Sequence, residues 1–431
     1  MIHFLKRVAR RLGGAARHHP IRTVLTVVVV LTASAAGGTY AYAAREWHRA
    51  EAALRDGRPT EARTRLDTCL KFWPRSAEVH QRAARAARMT GDFAAAEDHL
   101  NTCLRIEGGA SESTQLEFLL MRAQTGEVEE VAPLLFAYVD RGHPDARLIL
   151  ETVALTYMHN LRYGPAYSAL KRWAEDFPDD ARAYHYRGWV LERLNQPTSA
   201  LEDYLRSLVL DPGLDRVRLR VAEMYLEDND PVQAAPHLDR LLATAPDRAE
   251  VLARVGQCRF LQGQHAEARL LLERAVDRLP DDPRVLLFLA RLDMEDEEPA
   301  RAEGRLRRAL VADPSDTEIR YTIVTALRLQ GRDAAAAAEL AEYEQHKALL
   351  ERANHLLQEE ARHPSSSRDP TAASEIGALL LQIGQDRQGL YWMDEALSRN
   401  PHYAPAHQAL AEYFTRKGDA ERAAAHRRPP Q

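Results

Sequence analysis

Residues 166–178 read Ala-Tyr-Ser-Ala-Leu-Lys-Arg-Trp-Ala-Glu-Asp-Phe-Pro, and residues 200–212 read Ala-Leu-Glu-Asp-Tyr-Leu-Arg-Ser-Leu-Val-Leu-Asp-Pro. Each opens on a small residue, carries a large one four places on, and closes on Pro twelve places on. The closing proline recurs as Pro178, Pro212, Pro246, Pro280 and Pro314, at 34-residue intervals. A fixed interval of this length is the mark of a repeat architecture, in which each unit packs mainly on its neighbours.

The same frame extends over most of the chain. The small position is Ala62, Ala96, Ala166, Ala200, Ala234, Ala268, Ala302, Ala336, Gly389 and Ala423, with Val131 as the exception. Four residues later come Leu66, Leu100, Leu135, Leu170, Tyr204, Leu238, Leu272, Leu306, Leu340 and Met393. Twelve residues earlier stands a second small position: Ala50, Ala84, Ala154, Gly188, Ala222, Gly256, Ala290, Gly377 and Ala411, broken by Leu119 and Val324. Two short helices cross closely only where facing side chains are small. Proline then ends the second helix, because it cannot continue the hydrogen-bond ladder and turns its predecessor away from helix. Asp56-Gly57, Thr90-Gly91-Asp92, Gln262-Gly263 and Gln330-Gly331 mark the turns between the two helices.

These residues resemble the tetratricopeptide repeat family over about 45–427. The resemblance implies an all-α, right-handed α-solenoid of about eleven helix hairpins. The fit is weakest near 112–144, where Leu119 and Val131 replace small residues and the spacing stretches to 35. The frame breaks once more between Pro314 and Pro401, where a long helix over 334–362 runs into His363-Pro364-Ser365-Ser366-Ser367. The expected organisation is a basic leader (1–22), a transmembrane anchor or signal segment (23–44), repeats one to nine (45–346), an extended helix and flexible joint (347–369), and two closing repeats with a tail (370–431).

The anchor expectation rests on 22 uncharged residues from Thr23 to Ala44, preceded by Lys6, Arg7, Arg10, Arg11, Arg17 and Arg22 and by no acid. A helix of that length spans about 33 Å, against a hydrocarbon core of roughly 30 Å. Basic residues stay on the cytoplasmic side, so the N-terminus is expected inside and the repeats on the extracytoplasmic, periplasmic side. A cleaved signal peptide, with Gly37-Gly38 as helix break and Ala41-Tyr42-Ala43 as cleavage site, is the alternative. An Arg-rich, acid-free leader also suits a mitochondrial presequence in a eukaryotic source. Only five Lys against 53 Arg, with abundant Ala, looks more like a GC-rich bacterial genome than a functional demand.

Beyond residue 44 the chain holds 52 basic against 63 acidic residues, a net of −11. That balance argues against nucleic acid, which demands clustered positive charge. No P-loop, GxSxG, HExxH or GxGxxG motif is present, so neither an enzyme nor a cofactor is expected; an enzyme with an unrecognised site remains an alternative. Cys69, Cys103 and Cys258 lack metal-ligand spacing and read as small packing residues. The 17 His look scattered, and the acidic run Asp293–Glu298 reads as a solvated turn rather than a calcium loop.

In each first helix, positions 4, 7, 8 and 11 are expected to pack inward, leaving 2, 5, 9 and 12 as a stripe. The resemblance implies that this stripe lines a concave groove. The candidate partner-binding residues are Arg182, His185, Trp189, Arg216, Glu223, Gln257, Phe260, Arg291, Tyr321 and Arg328. No unit has Asn at position 9, so the family's peptide-carboxylate clamp is not expected. The anticipated function is a scaffold or assembly factor at the cell envelope, binding a partner's peptide or helix; a membrane adaptor facing the cytoplasm is the alternative.

Overall fold

The computed structural model describes residues 20–362 and 369–427, with side chains for 37–360 and 369–427. The basic leader up to residue 19 and the predicted joint at 363–368 lie outside the described residues. No strand occurs among the described residues. The chain divides into two compact units, Met1–Pro212 and Gly213–Gln431, and each is built from helix hairpins stacked in chain order.

The first unit contains α1 (Pro20–Arg55), α2 (Pro59–Phe72), α3 (Ala77–Met89), α4 (Phe93–Glu107), α5 (Glu112–Arg122), α6 (Val128–Asp140), α7 (Ala146–His159), α8 (Tyr163–Asp176), α9 (Ala181–Arg193) and α10 (Pro197–Leu210). The second contains α11 (Asp215–Glu227), α12 (Pro231–Thr244), α13 (Ala249–Leu261), α14 (His265–Val276), α15 (Pro283–Glu295), α16 (Pro299–Ala312), α17 (Thr317–Leu329), α18 (Asp333–Arg362), α19 (Thr371–Gln382), α20 (Asp386–Arg399), α21 (Ala404–Arg416) and α22 (Ala420–Arg427). Among the described residues, odd and even helices pair as eleven hairpins, five in the first unit and six in the second.

The small positions do what their spacing predicts. Ala62, Ala166, Ala200, Ala234, Ala268 and Ala302 are fully buried, and so are Leu66, Leu135, Leu170, Leu238, Leu272 and Leu306 one turn later. Each such leucine contributes on the order of 1.5–3 kcal/mol by leaving water. The fit leaves no spare room: a Cβ on Gly256 would lie 2.7 Å from the Leu272 side chain, and one on Gly188 would lie 2.9 Å from the Tyr204 ring. Between repeats, second-helix arginines clamp the preceding closing turn. Arg274 donates to the Pro246 carbonyl at 3.0 Å and to Asp247 at 2.9 Å, and Arg308 donates to Pro280 and Asp281 at 2.6 and 2.8 Å.

Every hairpin turns through one residue of positive φ, at the same place in the repeat. Seven are glycines, Gly91 and Gly263 among them, but Leu161, Asn195, Asn229 and Glu297 adopt the same left-handed conformation. For a leucine this costs about 1–2 kcal/mol, which the packing on either side sustains.

Three features depart from the sequence reading. First, α1 is unbroken from Pro20 to Arg55, so it passes through Gly37-Gly38 and is shared between the predicted anchor and the first repeat. Among the described residues, no helix is long and apolar enough to cross a membrane; the side chains of residues 23–36, the most apolar part of the expected span, are outside that description. Second, the expected long helix over 334–362 is present as α18, of 30 residues, so the boundary drawn at 346–347 between repeat nine and the extended segment falls inside one helix. Third, Asp293 is not solvated. It is fully buried, and its carboxylate accepts from Arg269 at 3.0 Å and Arg305 at 2.7 Å.

The irregular third repeat is held ionically where small residues are missing. Glu117, 1% exposed, accepts from Arg85 at 2.5 Å and Arg88 at 3.1 Å, while Arg85 also donates to Asp145. Burial alone would lower the Arg85 pKa; the two carboxylates outweigh it and push the guanidinium up. For Asp145, burial works to raise the carboxyl and Arg85 holds it below its ordinary value.

Candidate functional site

Among the clefts along first-helix faces, two carry stripe residues among paired charges, one in each unit. The cleft of the second unit, about 350 Å³, is built from α11, α13, α15 and α17. Glu223, Gln257 and Arg291, all anticipated from the stripe, line it together with Arg254, Arg284 and Glu318. Glu318 sits at the centre of its charge: it accepts from Arg284 and Arg291, both at 2.6 Å. Burial acts to raise the Glu318 carboxyl, and the two guanidiniums overcome this and hold it below the ordinary carboxylate range. On the other wall Arg254 donates to Glu223 at 3.0 Å. Arg291 also lies over the Phe288 ring, 5.3 Å from its centre, and Phe260 meets Phe288 edge-on at 5.2 Å. The result is a cleft with paired charges on its walls and an aromatic base.

The cleft of the first unit is larger, about 630 Å³, and contains Arg182 with Glu51, Arg82, Arg85, Asp145 and Glu151. Arg82 donates to Glu51 at 2.7 Å and Arg182 to Glu151 at 2.8 Å. Burial raises the Glu151 carboxyl above its usual value despite Arg182. Arg182 is further fixed over the ring of Trp173 at 5.3 Å.

The remaining candidates lie outside both linings. His185 stacks on Tyr186 at 5.0 Å, and burial lowers its pKa. Trp189 is half-buried, edge-on to Tyr163 at 5.8 Å with Arg193 over it at 4.8 Å. Phe260 reaches the second cleft only through Phe288. Tyr321 is 48% exposed and tilts against Tyr343; Arg216 and Arg328 are exposed. Leu226, though buried, lines the second cleft; two other members of the stripe, Ala253 and Leu287, are buried and line neither cleft. Adjacent repeats stack through them, so the stripe is not one continuous lining.

The sequence reading missed Glu51, Arg82, Glu151 and Arg254. Arg82 and Arg254 stand at position 6 of their first helices, outside the assumed stripe. The signal available was register: Glu51 to Arg82, Glu151 to Arg182 and Glu223 to Arg254 are each 31 residues apart, one repeat less three. A first-helix acid thus meets an arginine one turn earlier on the next repeat.

Nor are the histidines all scattered. His80 and His99 bring their Nδ1 atoms to 3.0 Å, and His407 and His426 do so at 2.9 Å, at equivalent positions of the second and eleventh repeats. In both, the first histidine's Nε2 donates to a proline carbonyl, Pro74 or Pro401. Among the described residues, no group of three or more His, Cys, Asp or Glu is arranged to hold a metal ion. The three thiols are free and buried, each donating to a main-chain carbonyl; burial pushes Cys103 and Cys258 up to about 11.

Tetratricopeptide repeat models match residues 225–292 and, with a second model, residues 36–110, 154–215 and 288–349. No curated protein matches. Among solved structures, the chain is similar to PilW, described as a widely conserved type IV pilus biogenesis factor. That match has 20% identity, covers 54% of this chain and 98% of that one, and has a TM-score of 0.38. It is similar to Pseudomonas aeruginosa PilF at 16% identity, covering 59% of this chain and 99% of that one, TM-score 0.37. A human IFIT1 dimer with m7Gppp-AAAA matches at 13% identity over 82% of this chain and 89% of that one, TM-score 0.38. With the hairpins, the 34-residue interval and the matched models in agreement, the chain belongs to the tetratricopeptide repeat family.

Proposed function

We propose that this protein is an interaction scaffold or assembly factor that receives an extended peptide or a helix of a partner protein along its first-helix faces. It is tethered to a bacterial cell envelope by residues 23–44, with the N-terminus cytoplasmic and the repeats outside. The observation that carries the binding reading is the second-unit cleft. Four successive first helices supply charged or polar side chains to its wall, and an aromatic pair lies at its base. Paired charges of both signs exchange partners at little electrostatic cost, whereas Arg and aromatic groups supply the strongest contacts at protein interfaces. Such a wall suits a segment of mixed charge with an apolar anchor.

The tether reading is supported by the uncharged stretch of 22 residues and the six basic residues before it. To test the scaffold, a photo-crosslinking residue replaces Gln257 in the full chain in its own membrane, with Val311, 83% exposed on a second helix, as the comparison site. Adducts at 257 that vanish in Arg291→Ala, with none at 311, are expected. Adducts at 311 alone would overturn the assignment of the binding face.

A further inference from the structure

The foot of the first hairpin carries four aromatic residues at one level. On α1 these are Tyr40 and Tyr42; on the returning strand of chain they are Phe72, the last residue of α2, and Trp73 beside it. Tyr40 meets Trp73 edge-on at 5.8 Å between ring centres, and Tyr42 meets Phe72 at 6.1 Å. Successive helical residues are about 100° apart, so residues 40 and 42 point to opposite flanks of α1. The two ring pairs therefore bracket the hairpin from both sides. Between them the helices close on each other, with Ala43 fully buried and the Cys69 thiol 3.7 Å from the Ala43 carbonyl.

Three of these rings are not core; Trp73 is partly buried and packs against the core of the first repeat. Tyr40 is 66% exposed, Tyr42 51% and Phe72 40%, and a Cβ on Gly37 or Gly38, one turn below, would meet nothing within 4 Å. Isolated exposed aromatics are ordinary. Four at one level, where a paired helix becomes a single one, are not. Arg45, Lys71 and Arg75, all exposed, stand beside them.

The position along α1 gives the occupant. From Arg22, the last charge of the leader, to Tyr40 there are eighteen helical steps, about 27 Å. That nearly matches the roughly 30 Å of a bilayer's hydrocarbon core. Tyr and Trp favour the membrane–water boundary, where an amphipathic ring is half apolar and half wetted, and flanking Lys and Arg reach outward to the headgroups. No linker intervenes, since α1 is continuous from Pro20 to Arg55.

We propose that Tyr40, Tyr42, Phe72 and Trp73 form a collar that seats in the headgroup layer of a lipid bilayer and holds the first repeat flush against the membrane surface. This rests on the tether reading, and adds depth and orientation to it. The first repeat then stands on the bilayer as the direct continuation of the anchor, not on a flexible stalk.

The test uses the full chain in phosphatidylcholine–phosphatidylglycerol vesicles, with and without brominated acyl chains. The environment-sensitive dye NBD is placed by Phe72→Cys, by Tyr42→Cys on the partner helix as an independent reading, and by Val311→Cys as a remote site. Flotation of the protein with the vesicles measures the tether. Dye at 42 and 72 is expected to lose fluorescence in brominated lipid, and dye at 311 to keep it. Flotation without quenching at 42 or 72 overturns the collar and leaves the tether standing. A blue-shifted but unquenched dye does the same, by showing that protein rather than lipid covers the rings. Failure to float at all refutes the tether and the collar together.

Discussion

The histidine pair of the last repeat makes a pH prediction that can be worked out from its geometry. His407 is 8% exposed, and its Nε2 lies 2.9 Å from the Pro401 carbonyl. A carbonyl only accepts, so that nitrogen carries hydrogen, and in the neutral ring Nδ1 is an acceptor. His426 Nδ1, 2.9 Å away, must then be the donor. A second proton would set two N–H groups head to head, so the folded pair holds at most one more proton than its neutral form. In the unfolded chain both imidazoles titrate near the ordinary value of about 6.5. The His426 pKa is lowered in the fold, first by burial and then by His407, with Asp394 opposing. Its ring also stacks on Phe414 at 5.7 Å, and Arg422 lies over that same Phe414 ring at 5.4 Å. A lowered histidine pKa means that the unfolded chain binds more protons. Stability is therefore full above about pH 6.5 and declines as the pH falls below it. Complete exclusion of one proton costs about 1.4 kcal/mol at pH 5.5, and partial solvent access reduces this to about 1 kcal/mol. Hydrogen exchange of peptides covering 404–427, corrected for the intrinsic effect of pH, should show about fivefold less protection at pH 5.5 than at 7.5. His426→Gln, whose amide can still donate to His407, should remove most of that difference. An equal fall in both proteins would refute the shared-proton account.

Glu117→Ala leaves Arg88, 2% exposed at its side chain, without its carboxylate, and should destabilise the second and third repeats by about 3 kcal/mol in urea unfolding followed by local exchange; a loss under about 0.5 kcal/mol would contradict the buried ionic support. Gly389→Ala would press a Cβ to 2.9 Å from the Leu381 backbone nitrogen and 2.6 Å from its side chain, and should cost about 1–3 kcal/mol, seen as a lower melting temperature. Leu161→Gly, in contrast, removes a leucine with φ of 59° that is 58% exposed, and should raise stability by about 1 kcal/mol; an unchanged or lower melting temperature would speak against strain at that turn. With Cys103 and Cys258 pushed up to about 11, the thiols should stay unreactive to a disulfide reagent at pH 8 in the folded protein. All three should react after denaturation, and rapid labelling of the native protein would show that they are not sealed.

The fold was legible because packing between helices imposes a local, recurring demand. Ala200 and Leu238 are small and large for reasons that repeat every 34 residues, so the pattern survives in a single sequence. The clefts were only partly legible. Glu223, Gln257 and Arg291 follow from counting helix positions, but Arg254 and Arg82 owe their place to the offset between neighbouring repeats, which no one repeat encodes. Ala253 and Leu287 looked like lining because a helical wheel does not distinguish the face turned to a groove from the face turned to the next repeat. Asp293 looked solvated because its acidic neighbours dominate the local sequence, while Arg269 and Arg305, which bury it, lie 24 and 12 residues away. His407 and His426 were separated by 19 residues and a hairpin turn, too far for a cluster to show.

The 30-residue helix α18 has two packing faces on one rod. Near its start Ala336 is buried against the ninth hairpin's first helix, and further along Ala353 is buried with Ile376, Leu380 and Ile383 of the next hairpin. The two faces are locked in rotational phase. Adding one residue between them would swing the second by about 100° and advance it by 1.5 Å, whereas adding seven, close to two full turns, would return it near its original heading. Length variation in this stretch is therefore expected in steps near whole turns, and a single-residue insertion there should detach the last two repeats while leaving their internal packing intact.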